Sequence, residues 1–235
     1  MNLLILVTAM FSIIAFFMFS VSEIVKTNDS QMILARATNQ ASSLVNSSLY
    51  CDSIYYYFPT SMKVLGRDYF YKVKISPART TEETADGETI SYVIFTIYPR
   101  NKELQDQAIA SNSFRTNARV YFFNMSPEGN IELTADPDEE TVIDPQLVVA
   151  PASDEPILGI DTVVMIKQII GGKNYLFIVP CNHSTCDLAL EQAAAVVIPS
   201  STTPAPSLMC DSDIEICCDS ADCQPGSQLK VCVAT

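Results

Sequence analysis

The first 22 residues contain no charged side chain, and the first charge in the chain is Glu23. At 1.5 Å per residue, a helix over this stretch is about 33 Å long, enough to cross the roughly 30 Å hydrocarbon core of a bilayer. The segment Leu3 to Val21 therefore predicts a membrane-spanning helix. A soluble core helix fits less well, because such helices are rarely apolar on every face. The other alternative is a secretory signal cleaved before Glu23 at the small-x-small triplet 20–22, although no Lys or Arg precedes the apolar run.

Glycine and proline are both absent from Glu23 to Leu49, so the sequence predicts one continuous helix from residue 1 to about residue 49. Its second half is amphipathic, with a stripe of mostly small residues at helical spacing. The members of that stripe are Leu34, Ala37, Thr38, Ala41, Val45, Ser48 and Leu49. In the membrane half, Thr8, Ser12 and Ala15 line one side, which would let a neighbouring helix approach closely and makes them a candidate assembly face.

The chain has no basic patch, although it is strongly charged. Of its net charge of −13, none arises in residues 1–100, which carry eight positive and eight negative groups. The acidic excess therefore lies beyond Arg100 and mainly favours solubility. Proteins that bind nucleic acid use clustered Lys and Arg to neutralise its phosphates, so we do not expect nucleic acid as a partner.

Only one histidine is present, His183, and there is no glycine-rich phosphate loop. We therefore expect no enzymatic activity and no cofactor. Cys181, His183 and Cys186 could bind zinc in a reducing compartment, but outside the cell a Cys181–Cys186 disulfide is the preferred interpretation. The acidic residues Asp136, Asp138, Glu139 and Glu140, with Asp211, Asp213, Glu215, Asp219 and Asp222 in the tail, lack the spacing of an EF-hand loop and are interpreted as solvated acid.

Cysteine is concentrated at the C-terminal end, which indicates an oxidising compartment. The eight candidates for disulfide bonding are Cys51, Cys181, Cys186, Cys210, Cys217, Cys218, Cys223 and Cys232. Four glycosylation sequons, at Asn28, Asn46, Asn124 and Asn182, agree with an external location. Lys26 and Arg36 oppose it through the positive-inside rule, but two charges are a small bias. If Cys181 pairs with Cys186, Cys51 is left to match the odd thiol of the tail; the connectivity stays open.

Between the helix and the tail the sequence predicts antiparallel β structure, in six segments forming one sheet against the helix. The segments are Tyr69–Ser76, Ile90–Tyr98, Ala118–Asn124, Ile131–Thr134, Thr162–Ile170 and Tyr175–Pro180. Turns are predicted at 126–130 and 171–174, and a polar loop at 80–87. A short helix is predicted at Asn101–Asn112 and an exposed acidic connection at Ala135–Ala152.

Taken together, these signals predict an α+β protein with five parts. A membrane half (1–25) and an amphipathic half (26–50) form the stalk helix, which carries a β-rich head (51–195). A Pro/Ser/Thr linker (196–209) leads to a cysteine-rich tip (210–235) with the pattern C-x6-CC-x4-C-x8-C. The tip is too short for a hydrophobic core of its own.

Three stretches occur in an informative order: LLILVTAMFSIIAFFMF, ILARATNQASSLVNSSLY and YYYFPTSMKVLGRDYFYKVKI. This order resembles archaeal pilin-like proteins with a class III signal peptide, which are related to type IV pilins. In that family a basic residue and Gly-Gln precede the apolar run, and a Glu lies a few positions inside the mature helix. Here the sequence reads MNLLILV, so either the start lies upstream of Met1 or the protein is an unprocessed relative.

The resemblance implies a membrane-anchored structural subunit of a surface filament, which assembles through its apolar helix and contacts membrane lipid and other subunits. The alternatives are a tethered receptor or adhesin that never polymerises, with an extracellular ligand that the sequence does not identify, or a secreted protein cleaved before Glu23.

Overall fold

The first element is a single helix of 44 residues, α1 (Asn2–Val45), which runs without a break from the apolar segment into the head. The computed structural model describes residues 2–49, 51–78, 82–83, 89–100, 107–126, 129–135, 147–151, 159–170 and 173–197. The prediction of one continuous helix is confirmed, with its end at Val45 rather than near Leu49. The helix ends where Asn46, Ser47 and Ser48 follow, because short polar side chains compete for backbone hydrogen bonds.

Twelve strands and a second helix follow α1. They are β1 (Cys51–Tyr57), β2 (Met62–Val64), β3 (Arg67–Tyr69), β4 (Tyr71–Pro77), β5 (Glu82–Glu83), β6 (Thr89–Pro99), β7 (Ala110–Thr116), β8 (Arg119–Met125), β9 (Ile131–Ala135), β10 (Leu147–Val149), β11 (Thr162–Ile170), β12 (Lys173–Cys181) and α2 (Cys186–Val197). A long apolar N-terminal helix combined with mostly antiparallel strands makes the fold α+β, as the sequence predicts.

The strands form two main sheets, so the prediction of one sheet is wrong. The first sheet has the order β1-β11-β12-β8-β9, and the second joins β10, β4 and β6, with β5 and β7 both paired to β6. β12 and β8 are parallel, whereas the other pairs are antiparallel. A short hairpin, β2–β3, stands apart from both sheets. Alternating apolar residues show that a segment is a strand but do not show which sheet it joins.

The main core lies between the two sheets and includes one face of α1. From the helix it takes Ile33, Leu34, Ala37, Ala41, Leu44 and Val45, and from the sheets it takes alternate residues of β4, β6, β8, β11 and β12. The other face of the first sheet packs on α2 through Ala189, Leu190, Ala193 and Ala194. α1 contacts β7 of the second sheet and β1 and β11 of the first, so it fills the gap between the two sheets along one side.

One segment predicted as a helix and one predicted as an exposed connection contain strands instead. The predicted helix Asn101–Asn112 is wrong where the structure describes it, because Ala110 begins β7 and pairs with Ile97 of β6. The predicted acidic connection Ala135–Ala152 contains β10, in which Leu147 and Val149 are fully buried. In both places, pairing with a neighbouring strand outweighs the local polar composition.

The predicted hairpins at β8–β9 and β11–β12 are present. At the first turn Gly129 has a φ of 84°, and its N–H donates to the Ser126 carbonyl at 2.9 Å. Glu82–Glu83 of the predicted loop at 80–87 form β5. Several predictions fall wholly or partly outside the described residues: the rest of that loop, positions 171–172, the acidic run at 136–140, the linker beyond Val197 and the tip at 210–235.

Candidate anchoring and assembly surface

The first half of α1 is apolar and uncovered. Every described residue from Ile5 to Phe19 is exposed, including the large side chains Phe11, Phe16, Phe17 and Phe19 at 63–69% of their full area. Among the described residues, α1 is the one helix long and apolar enough to span a membrane, with a mean hydropathy of 2.3 over an 18-residue window. A surface of this kind requires lipid or other protein around it, because exposed apolar area on this scale is otherwise found at interaction sites.

Thr8, Ser12 and Ala15 all lie on this exposed part of the helix. The Thr8 hydroxyl donates to the Ile5 carbonyl at 3.0 Å, and the Ser12 hydroxyl donates to the Thr8 carbonyl at 2.9 Å. Because both hydroxyls already bond within the helix, they can enter an apolar contact without leaving an unsatisfied polar group. All three side chains are therefore small, and the two hydroxyls already have hydrogen-bond partners, as a close helix–helix contact requires.

The second half of α1 is fixed in the head by hydrogen bonds at successive levels. The Tyr56 hydroxyl of β1 donates to the Ile33 carbonyl at 2.9 Å. Farther along, the Asn112 amide of β7 donates to the Thr38 hydroxyl at 2.9 Å. Burial of Tyr56 raises its pKa, so the phenol stays protonated and keeps donating at physiological pH.

Beyond the end of α1, Lys167 of β11 is 97% buried and its Nζ donates to the Ser47 carbonyl. Burial lowers the pKa of Lys167, and the carboxylate of Asp52, its cross-strand neighbour on β1, acts in the opposite direction. A cation at this position complements the negative end of the helix dipole. Lys167 is not among the residues predicted from the sequence, although a lysine within the apolar run TVVMIKQII is a signal for such a buried cation.

Cys181 and Cys186 are joined by a disulfide, with Cα atoms 4.9 Å apart. It connects the end of β12 to the first residue of α2, a helix that the sequence analysis missed. Since both sulfur atoms are in this bond, the alternative of a Cys181–His183–Cys186 zinc site is not supported. Cys51 is disulfide-bonded as well. The tail cysteines Cys210, Cys217, Cys218, Cys223 and Cys232 lie outside the described residues.

His183 is exposed, and its ring lies 4.8 Å from that of Tyr57 in an edge-on contact. Its backbone N–H donates to the Asp161 carboxylate at 3.0 Å. Within the described part of the chain, no group of three or more His, Cys, Asp or Glu side chains could hold a metal ion. The predicted acidic runs at 136–140 and 211–222 are not among these residues.

The four sequon asparagines lie in different environments. Asn28 and Asn46 are exposed, on α1 and just after it, whereas Asn124 of β8 is partly buried. Asn182 precedes α2, and its amide donates to the Gly159 carbonyl at 2.9 Å.

A polar cavity of about 600 Å³ lies between α1 and β7. It is lined by Thr38, Asn39, Ser42, Val45, Asn46, Ile90 and residues 112–117.

Comparisons of the chain with protein-family models, with curated proteins and with solved structures return no match.

Proposed function

We propose that the protein is a pilin-like structural subunit of a cell-surface filament, anchored in the membrane and assembled through the apolar half of α1. The observation that carries the proposal is the division of one unbroken helix into two halves. From Ile5 to Phe19 every described side chain is exposed, whereas from Ser30 to Val45 one face of the same helix lies in the core of the head.

The apolar half of α1 is stable only where lipid or protein covers it. Eleven large apolar side chains between residues 5 and 19 are more than two-fifths exposed. At about 1.5–3 kcal/mol for burial of each such side chain, covering them is worth on the order of 20 kcal/mol. Lipid covers them before assembly and neighbouring copies of α1 cover them in a filament, so the same surface serves both states.

The proposed location of the head is outside the cell. The Cys181–Cys186 disulfide supports this location, because disulfides persist in oxidising compartments. The continuous helix also supports a structural role, since a receptor that is merely tethered has no need of a rigid connection between its anchor and its core.

Replacing Ser12 by Phe tests the assembly step. The large ring would hold neighbouring helices apart at the face formed by Thr8, Ser12 and Ala15, so we expect loss of surface filaments with the protein retained in the membrane fraction. Ile14→Phe, on another side of the helix and already apolar, is the matched control and should keep filaments. Electron microscopy of whole cells and membrane fractionation read the two properties separately.

A monomer in detergent for the unaltered protein, together with no filaments on cells that produce it, would contradict the proposal. That result would favour the tethered receptor instead. Recovery of native protein with its N-terminus at Glu23 would favour a secreted form.

A further inference from the structure

The end of the head nearest the apolar half of α1 carries aromatic and basic side chains, of which Phe70 is exposed and Lys26, Tyr69 and Arg100 are half-buried. Tyr69 is the last residue of β3, and Phe70, which is 45% exposed, lies between β3 and β4. The Lys26 ammonium of α1 lies 5.4 Å from the centre of the Tyr69 ring, and the Arg100 guanidinium lies 5.8 Å from that of Phe70. We call Lys26, Tyr69, Phe70 and Arg100, with the adjoining hairpin β2–β3, the collar.

The position of the collar along α1 corresponds to lipid headgroups. If the hydrocarbon core ends at Glu23, the first charged residue, Lys26 lies about 4.5 Å farther along the helix axis. The headgroup layer on each side of a bilayer is roughly 5–7 Å thick, so Lys26 and the Tyr69 ring beside it fall within that layer. Tyrosine, with an apolar ring and a polar hydroxyl, is enriched at this depth in membrane proteins.

The hairpin β2–β3 adds an apolar and a basic side chain. Its turn consists of Leu65 and Gly66, both with positive φ, at 50° and 78°. Leu65 is 47% exposed, in a backbone conformation that glycine and asparagine adopt far more readily. Arg67, directly after the turn, is exposed too. The polar alternatives would suit both the turn and water better, so a leucine here indicates an apolar neighbour.

The charges of the collar differ in sign from those of the chain as a whole. Lys26 pairs with Glu23 at 2.6 Å, and Lys63 of β2 pairs with Asp68 of β3 at 2.7 Å. Arg67 has no such acidic partner among the residues that the structure describes. Counted over the residues that the structure describes, the collar together with Glu23 holds four basic groups and two acidic ones, a local excess of positive charge in a chain with a net charge of −13.

We propose that the collar rests on the membrane surface, with Leu65 and Phe70 in the headgroup layer and the basic side chains against anionic lipid phosphates. This contact would fix the tilt of the head relative to the bilayer. The proposal rests on α1 spanning the membrane but does not depend on filament assembly.

The absence of tryptophan from the chain provides the test, because one introduced tryptophan is then the sole indole fluorophore. Phe70→Trp places it in the collar, and Phe11→Trp places it in the apolar half of α1. Leu49→Trp is the matched control, since Leu49 is also 45% exposed but follows the far end of α1. That end, at Val45, is about 28 Å beyond Lys26 along the helix axis.

The full-length variants are reconstituted into phosphatidylcholine vesicles with brominated acyl chains, with and without about one-third phosphatidylglycerol. We expect strong quenching for Phe11→Trp and none for Leu49→Trp. For Phe70→Trp we expect at least about twofold loss of emission, greater with the anionic lipid and reduced by high salt. Adding Arg67→Gln to Phe70→Trp removes one of the four basic groups and should reduce the extra quenching by phosphatidylglycerol.

Quenching of Phe70→Trp no greater than that of Leu49→Trp, with Phe11→Trp quenched, would overturn the collar contact and leave the anchor intact. Absence of quenching for Phe11→Trp would overturn both. If the phosphatidylglycerol increment is unchanged by Arg67→Gln, the electrostatic part is wrong. Near-ultraviolet circular dichroism of each variant verifies that the head is folded.

Discussion

Leu34→Ala should destabilise the head, because Leu34 is a fully buried member of the main core. Leu→Ala substitutions in cores cost about 2–5 kcal/mol, the larger values applying where the surroundings cannot close the cavity. Here the helix is held at the adjacent residue, since the Ile33 carbonyl accepts from Tyr56. We therefore expect about 3–4 kcal/mol, which for a head of this size lowers Tm by about 10 °C.

Met32→Ala is the matched control for this substitution. Met32 lies on the same helix two positions away but is 48% exposed, so its truncation should cost about 0.5 kcal/mol or less. Thermal unfolding in detergent can be followed by near-ultraviolet circular dichroism of the tyrosines. This signal reports on the head, because the apolar half of α1 contains no tyrosine. Equal Tm shifts for the two variants would refute the conclusion that α1 belongs to the core of the head.

Four further predictions concern the head and its attachment. Lys167→Met should lower the free energy of unfolding in urea by about 1–3 kcal/mol, because the Ser47 carbonyl loses its buried donor. An unchanged urea midpoint would contradict the hydrogen bond between Lys167 and Ser47. Burial raises the pKa of Tyr71, so the unfolded chain loses its phenolic proton first, and stability should fall as the pH rises above about 10. In alkaline titrations Tyr71→Phe should show a shallower loss, and a profile parallel to that of the unaltered protein would disprove this cause. Replacing Cys181 and Cys186 together by Ala should cost about 2 kcal/mol through loss of a short loop closure, and an unchanged Tm would argue against it. Deleting residues 1–22 should leave a folded, water-soluble head, since between Ile5 and Asp29 no residue is buried; aggregation of that fragment would show that the core depends on the apolar half.

The strands that could be predicted from the sequence are those with a strong β composition. β6 and β11 are rich in branched and aromatic residues, and their existence follows from that composition alone. β7 reads ASNSFRT and is largely polar, because its outer face is solvated and Asn112 bonds to the helix. No local pattern distinguishes such a strand from a loop or a short helix.

The helix α2 was missed for a related reason. Apart from Cys186 of the disulfide, its buried face consists of three alanines and one leucine, Ala189, Leu190, Ala193 and Ala194, which give a weak hydrophobic signal. A helix of 12 residues is also marginal by itself and depends on packing against the first sheet. The parallel pairing of β12 with β8 is similarly invisible in sequence, since it depends on how the chain crosses between elements that are distant along it.

Of the candidate surface, the sequence predicted the apolar half of α1, because absence of charge is a direct signal; the assembly face of Thr8, Ser12 and Ala15 stays a prediction. The sequence could not predict the collar. Tyr69 and Phe70 read as part of a strand, and only the folded chain places Tyr69 beside Lys26, more than 40 residues earlier, and Phe70 beside Arg100. The same holds for the contact between Lys167 and Ser47, which are 120 residues apart.

The way α1 is built into the head also determines how a pulling force would enter it. The contacts from Ile33 to Ser47 are spread over about 21 Å of chain, so tension along the helix axis loads them side by side rather than one after another. β1 then returns antiparallel to α1 and is paired with β11 through seven residues, from Cys51 to Tyr57. A pull on the apolar half is therefore carried in shear into the β1 edge of the first sheet, the loading direction in which hydrogen-bonded strands must break several bonds at once.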